Sequence, residues 1–178
     1  MQRLRYRGFN LIELLVVLAL VSGTLAMAAP SMGDWLIKSR QRNLAKAIAH
    51  AITIARTEAT KRNDRVTICI SADQKTCTQS GGWEQGWIIF PGPNGRTLEV
   101  DDTIIHYESS GTFSKLSATG NQPVRSYISF VSTGRPLRLN GALQMGTIEV
   151  CAPKQNVIKV VMAATGRVRI ENTSVPCP

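Results

Sequence analysis

The chain has 178 residues, 43% hydrophobic and 19% charged, and carries a net charge of +9 at pH 7. That length supplies one domain with a proper core, the composition excludes a disordered chain, and the positive balance favours anionic partners. The two histidines, His50 and His106, are too few for a catalytic metal site, because the cysteines and carboxylates lack ligand spacing.

Residues 1–8 hold Arg3, Arg5 and Arg7 and no acid. From Leu11 to Ala29 the chain is apolar apart from one charge, Glu13. As a helix this run would span about 28 Å, enough to cross a bilayer. An ordinary signal peptide, cut near Ala26 to Ala29, is the alternative. The length of the run and the cost of placing Glu13 in lipid favour a retained membrane helix. Beyond it, Ser31 and Asp34 fit a capping pattern, and Pro30 and Gly33 are expected to kink a long helix rather than end it. Leu44, Ile48, Ala51, Ile52, Ala55 and Ala59 recur at helical spacing and form one buried stripe. The cations around them, with His50, read as solvated surface.

After Asn63-Asp64 the period falls to two. Strands are expected near Arg65 to Ser71, Trp87 to Phe90, Thr103 to Glu108, Tyr127 to Val131, Thr147 to Cys151, Val157 to Ala163 and Arg167 to Ile170. Pro91 to Gly95 and Asn140-Gly141 are the clearest turns. The fold class is therefore α+β, a long N-terminal helix packed on antiparallel sheet. Its expected parts are a leader at 1–8, a transmembrane helix at 9–29, an amphipathic helix at 30–62 and a β-rich body at 63–178.

Cys69, Cys77, Cys151 and Cys177 make an even number in a body that looks exported, which argues for disulfides. Three connectivities are possible; Cys69 to Cys77 and Cys151 to Cys177 are preferred, the first closing a short loop and the second tying down the tail. No close Cys-x-x-Cys pair suggests a metal, and no HExxH, Gly-x-Ser-x-Gly, Walker A or GxGxxG pattern is present. No enzyme, cofactor or metal site is expected.

The run from Gly8 through Phe9, Asn10 and Glu13 to Leu18 resembles the class III signal of type IV pilins and type II secretion pseudopilins. That resemblance implies cleavage after Gly8 by a prepilin peptidase, methylation of Phe9, and an assembly role for Glu13 against a neighbouring subunit's amine. Ala55-Arg56, Glu58-Ala59, Arg62, Val66 to Cys69, Trp83, Gly86-Trp87, Phe90, Ile128 to Phe130, Gly134 and Thr147 to Cys151 are similar to the FimT/GspH-type minor pilins. This implies the type IV pilin fold and partnership with other major and minor pilins. It also implies inner-membrane anchoring with a periplasmic body, then a place in a pilus fibre or tip.

Residues 111–178 carry eight Lys and Arg against Glu149 and Glu171. A three-residue loop, Ala164 to Gly166, would pair Ala163 with Arg167, Met162 with Val168, Val161 with Arg169, Val160 with Ile170 and Lys159 with Glu171. Ile158, Val160, Met162, Val168 and Ile170 would then share one apolar face, and Lys159, Arg167, Arg169 and Glu171 the other. The Gly166-Arg167-Val168-Arg169 run resembles the Gly-Arg-x-Arg motif of DNA-binding FimT-type pilins. The expected surface is Arg167 and Arg169 with Gly166, Lys159, Arg135, Arg138 and Lys154, contacting double-stranded DNA through its phosphate backbone. The alternative is a structural, GspH-like subunit that primes or caps a pilus or pseudopilus without binding DNA.

Overall fold

The computed structural model describes residues 10–92, 104–109, 113 and 115–178; the side chains of 24–32 and 109 lie outside the described set. So do Gly8, Phe9 and the 93–95 part of the expected Pro91 to Gly95 turn. The chain forms two compact units, residues 1–36 and Ile37–Pro178.

Helix α1, Leu11–Arg62, contributes to both units and continues through Pro30 and Gly33. The Ser31 and Asp34 pattern starts no helix because the backbone there is already helical. In the first unit every described side chain from Asn10 to Gly23 is exposed, Glu13 included. Among the described residues no helix is long and apolar enough to cross a membrane. The last residues of the expected anchor, 24–29, are not among the side chains described.

In the second unit, Leu44, Ile48, Ala51, Ile52, Ala55 and Ala59 are all essentially buried, joined by Ala45. Four alanines in this stripe let the helix approach the strands closely. The helix stops at Asn63, whose φ of 51° is left-handed. Asp64 N donates to Ala59 O and Asn63 N to Thr60 O, the paired bonds of a Schellman ending. Glu58 accepts from Arg62 and Lys61 in the last turn, and these bonds hold its carboxyl below the usual range.

Among the described residues eight strands follow: β1 Val66–Ile70, β2 Gly86–Pro91, β3 His106–Ser109, β4 Ser117–Gly120, β5 Tyr127–Phe130, β6 Gly146–Cys151, β7 Asn156–Met162 and β8 Val168–Pro176. They form two four-stranded sheets, ordered β3-β2-β1-β5 and β4-β6-β7-β8, with every pairing antiparallel. Both sheets and α1 contribute to one core. Every residue of β1 is buried because both of its faces are covered. Val66, Ile68 and Ile70 join the main core, while Cys69 packs with Ile88 and Phe90 in a second cluster.

Three expectations about the strands change. Strand β4 was not anticipated: its Ser-Ala-Thr-Gly sequence is polar, and it becomes a strand by pairing with β6, with only Ala118 and Gly120 turned inward. A Cβ on Gly120 would lie 2.3 Å from Val124 O, so this close approach requires glycine. The strand expected near Thr103 to Glu108 occupies His106–Ser109, and Thr103 lies outside the described residues. Strand β8 runs on to Pro176 instead of stopping at Ile170, because its second half keeps finding partners. Thr173 Oγ1 donates to Val157 O, Cys177 N donates to Gln155 O, and a disulfide joins Cys151 to Cys177. The other disulfide joins Cys69 to Cys77.

Candidate functional site

The β7–β8 hairpin has the register Lys159↔Glu171, Val160↔Ile170, Val161↔Arg169 and Met162↔Val168. Ala163 N donates to Arg167 O and Gly166 N to Ala163 O, both at 2.9 Å, closing the loop with Gly166 at φ 79°. This is the pairing that the alternation and the glycine demand, since a one-residue slip would turn Arg169 and Arg167 into the core. Ile158, Val160 and Met162 are buried and Val168 is half-buried, but Ile170 is 39% exposed. The reason is its place on the edge strand. Beside it the helix offers Arg42 and Lys46 rather than apolar side chains.

Gly166 is buried, and an ideal Cβ there would lie 3.0 Å from Gly134 O, 3.2 Å from Phe130 Cε1 and 3.3 Å from Arg56 Nε. The hairpin tip thus rests on the turn that carries Arg135. That turn is itself closed by Gly134 N donating to Val131 O at 2.8 Å. Arg56, from α1, reaches between the two turns and donates from Nη1 to Gly166 O at 3.3 Å. Arg56, Arg135 and Arg167 are therefore carried by three segments that meet at Gly134 and Gly166. The sequence reading placed Arg56 on a solvated face. Its position next to Ala55, at the margin of the buried stripe, was the available signal.

Arg167 and Arg135 are exposed. Arg169, also exposed, pairs with Glu171 on its own strand, and half-buried Lys159 pairs across to Glu149 at 3.1 Å. Two of the expected anion contacts thus already have carboxylate partners. Exposed pairs of this kind are each worth about 0–1 kcal/mol, so an incoming phosphate can compete for them. Lys154 stands in the β6–β7 turn at φ 60°, at the far end of β7 from Gly166. At about 3.3 Å per residue, the seven residues of β7 separate the two ends by roughly 23 Å. Arg138 lies elsewhere again, lining a cleft with Cys69, Cys77 and Arg125. The structure therefore unites Gly166, Arg167 and the Arg135 turn, continues to Arg169 and Lys159 along the outer face, and leaves Arg138 and Lys154 apart. Among the described residues no cluster of His, Cys, Asp and Glu could hold a metal.

A family model described as "Type II transport protein GspH" matches residues 44–166. The match takes in most of the chain and ends at the hairpin tip, before Arg167. Comparison with curated proteins finds no match. Among solved structures, the type IV minor pilin FimU of Pseudomonas aeruginosa is similar over 78% of this chain and 96% of its own, with TM-score 0.59 and 14% identity. A second crystal form of FimU gives 75%, 98%, 0.52 and 14%. The minor pseudopilin EpsH from the type 2 secretion system of Vibrio cholerae gives 74%, 94%, 0.47 and 10%. At 14% identity the FimU likeness is one of fold, an N-terminal helix on antiparallel sheets. The chain therefore belongs to the GspH family and has the type IV pilin fold that it shares with FimU.

Proposed function

We propose that this minor pilin captures double-stranded DNA, without regard to sequence, on the surface that begins at the tip of the β7–β8 hairpin and supports its uptake. The observation that carries this reading is the seating of Gly166 on Gly134 with Arg56 between them. It gathers cations from a helix, a turn and a hairpin onto one rigid support. Few aromatic side chains accompany these cations, so phosphate contact rather than base stacking is the mechanism. The rival reading, a structural subunit that primes or caps a pilus or pseudopilus, draws on the ion pairs Lys159–Glu149 and Arg169–Glu171. These already balance part of the basic face.

The test uses the Ile37–Pro178 unit, which contains the whole described core. Binding to duplex DNA is measured across a salt series, for wild type and for Arg167→Gln/Arg169→Gln. Wild type is expected to bind with Kd of about 10⁻⁴ to 10⁻⁶ M, and the double variant to lower the log-log salt slope by about two units. Glu171→Gln, which frees Arg169, is expected to tighten binding. Equal binding by all three proteins, or none by any, would make the structural subunit the better reading.

At the other end of the chain, the proposal includes cleavage after Gly8, methylation of Phe9, pairing of Glu13 with a neighbour's amine, and anchoring by the apolar helix in the inner membrane. The exposed apolar side chains from Leu11 to Leu20 support it, since so many exposed aliphatic groups on one helix need lipid or a packed neighbour. Mass spectrometry of protein recovered from membranes is expected to find methylated Phe9 at the mature N-terminus. A terminus between Ala26 and Ala29 would identify a released, signal-cleaved protein instead.

A further inference from the structure

Arg138 opens onto a cleft of about 450 Å³ that the hairpin does not touch. One wall is the Cys69–Cys77 disulfide with Gln79, and the other is the segment from Gln122 to Tyr127 with Arg125 at its exposed rim. Both walls are tied to the end of β1: Ile70 N donates to Ser126 O at 3.0 Å, and Ile70 O accepts from Thr78 N at 2.9 Å. The disulfide fixes the first wall, and Gln144 Nε2, donating to Pro123 O and Tyr127 O, fixes the second.

Among the described residues two arginines line this cleft and no carboxylate does. Arg138 Nε is buried and has no hydrogen-bond partner. A buried guanidinium donor without an acceptor is costly, and native structures seldom leave one so. Asp73, the acid within the disulfide loop, is not available to it. Its carboxylate accepts from Ser71 Oγ, from Lys75 N, and from Thr76 N and Oγ1, bonds that hold it ionised and well below the usual carboxylate range.

We propose that this cleft is a carboxylate site that receives an acidic segment of a neighbouring protein subunit. With Nε buried, the terminal nitrogens of Arg138 are left to face the cleft, and the planar guanidinium holds their N–H donors at the spacing of the two oxygens of a carboxylate. Arg125 on the rim supplies the long-range attraction, and the amides of Gln79 and Gln122 add uncharged donors beside the fork. A concave pocket bounded by a disulfide loop fits an inserted side chain or chain end better than the backbone of a duplex. The site does not depend on DNA capture. Either can fail without the other.

The experiment uses the full chain in detergent micelles and the fluorescence anisotropy of a fluorescein-labelled hexapeptide of alternating Glu and Ser, amidated at its C-terminus. A second peptide carries Gln for Glu, and a third ends in a free carboxylate. Wild type is expected to bind the Glu peptide, and Arg138→Lys, which keeps the charge but loses the fork, to weaken it about tenfold. Arg125→Gln, on the exposed rim, is expected to weaken binding about threefold without unfolding risk, and so carries the test if Arg138 variants prove unstable. Arg167→Gln/Arg169→Gln should bind the peptide as wild type does. Tighter binding of the free-acid peptide would assign the cleft to a chain end rather than a side chain, and either supports the proposal. It is overturned if the Gln peptide binds equally, if neither Arg125 nor Arg138 substitution matters, or if a 20-base-pair duplex displaces the peptide, making the cleft part of a nucleic-acid surface.

Discussion

Gln144→Leu is expected to destabilise the Ile37–Pro178 unit by about 4 kcal/mol, at roughly 1–3 kcal/mol for each of the buried groups it orphans. Gln144 is fully buried. Its Oε1 accepts from Ser129 N at 3.0 Å, and its Nε2 donates to Pro123 O at 2.7 Å and Tyr127 O at 2.9 Å. Strand β5 is the edge of its sheet, and an edge needs its outward backbone groups covered. Leu137 N meets Ser129 O, and Gln144 meets Ser129 N, so one folded-back segment satisfies both sides of that residue. Leucine fills a similar volume but leaves one N–H and two carbonyls without partners. Chemical denaturation of the two proteins measures the difference. A loss below about 1 kcal/mol would mean that water replaces the amide and that the edge is not sealed.

Gly166→Val should cost about 3 kcal/mol and remove the proposed DNA surface with it. The φ of 79° places residue 166 in the left-handed region, which costs a non-glycine residue about 1–2 kcal/mol and a β-branched one more. The added Cβ would stand 3.0 Å from Gly134 O and 3.2 Å from the Phe130 ring, and crowding of this kind costs a further 1–3 kcal/mol, roughly. The hairpin tip must then lift from Gly134, separating Arg167 from the Arg135 turn and from Arg56. The readouts are the denaturation midpoint and duplex binding under conditions where the variant remains folded. If binding survives while stability falls as expected, the seating of the tip is structural only and the DNA surface lies elsewhere on the chain.

The segments that could be read from the sequence are those whose pattern is closed within themselves. The buried stripe of α1 follows from spacing alone, because residues three and four apart share a helix face whatever packs against it. The hairpin register follows likewise, since alternation on both arms and a three-residue loop ending in glycine admit one pairing that keeps the arginines out of the core. The segment around Gln144 could not be read this way. There Leu143 and Met145 are 50% and 49% exposed while the glutamine between them is buried, the reverse of any hydrophobicity pattern. What decides it is a row of backbone groups on β5, some fifteen residues earlier in the chain. Ile170 fails for a related reason: its face was read correctly along the strand, but β8 is an edge, and the helix beside it carries Arg42 and Lys46.

The candidate site divides in the same way. Which residues are basic, and that Arg167 and Arg169 share the outer face of a hairpin, was determined by the sequence by itself, because strand geometry alternates side chains strictly. Only the tertiary structure decided that Arg56 and the Arg135 turn join the hairpin tip, that Lys154 stands at the opposite end of β7, and that Arg138 opens instead onto a cleft beside a disulfide. Periodicity reports the face a residue occupies on its own element. Which faces meet depends on contacts between segments as far apart as 110 residues, from Arg56 to Gly166, and those are set by how α1 and the strands pack around one core.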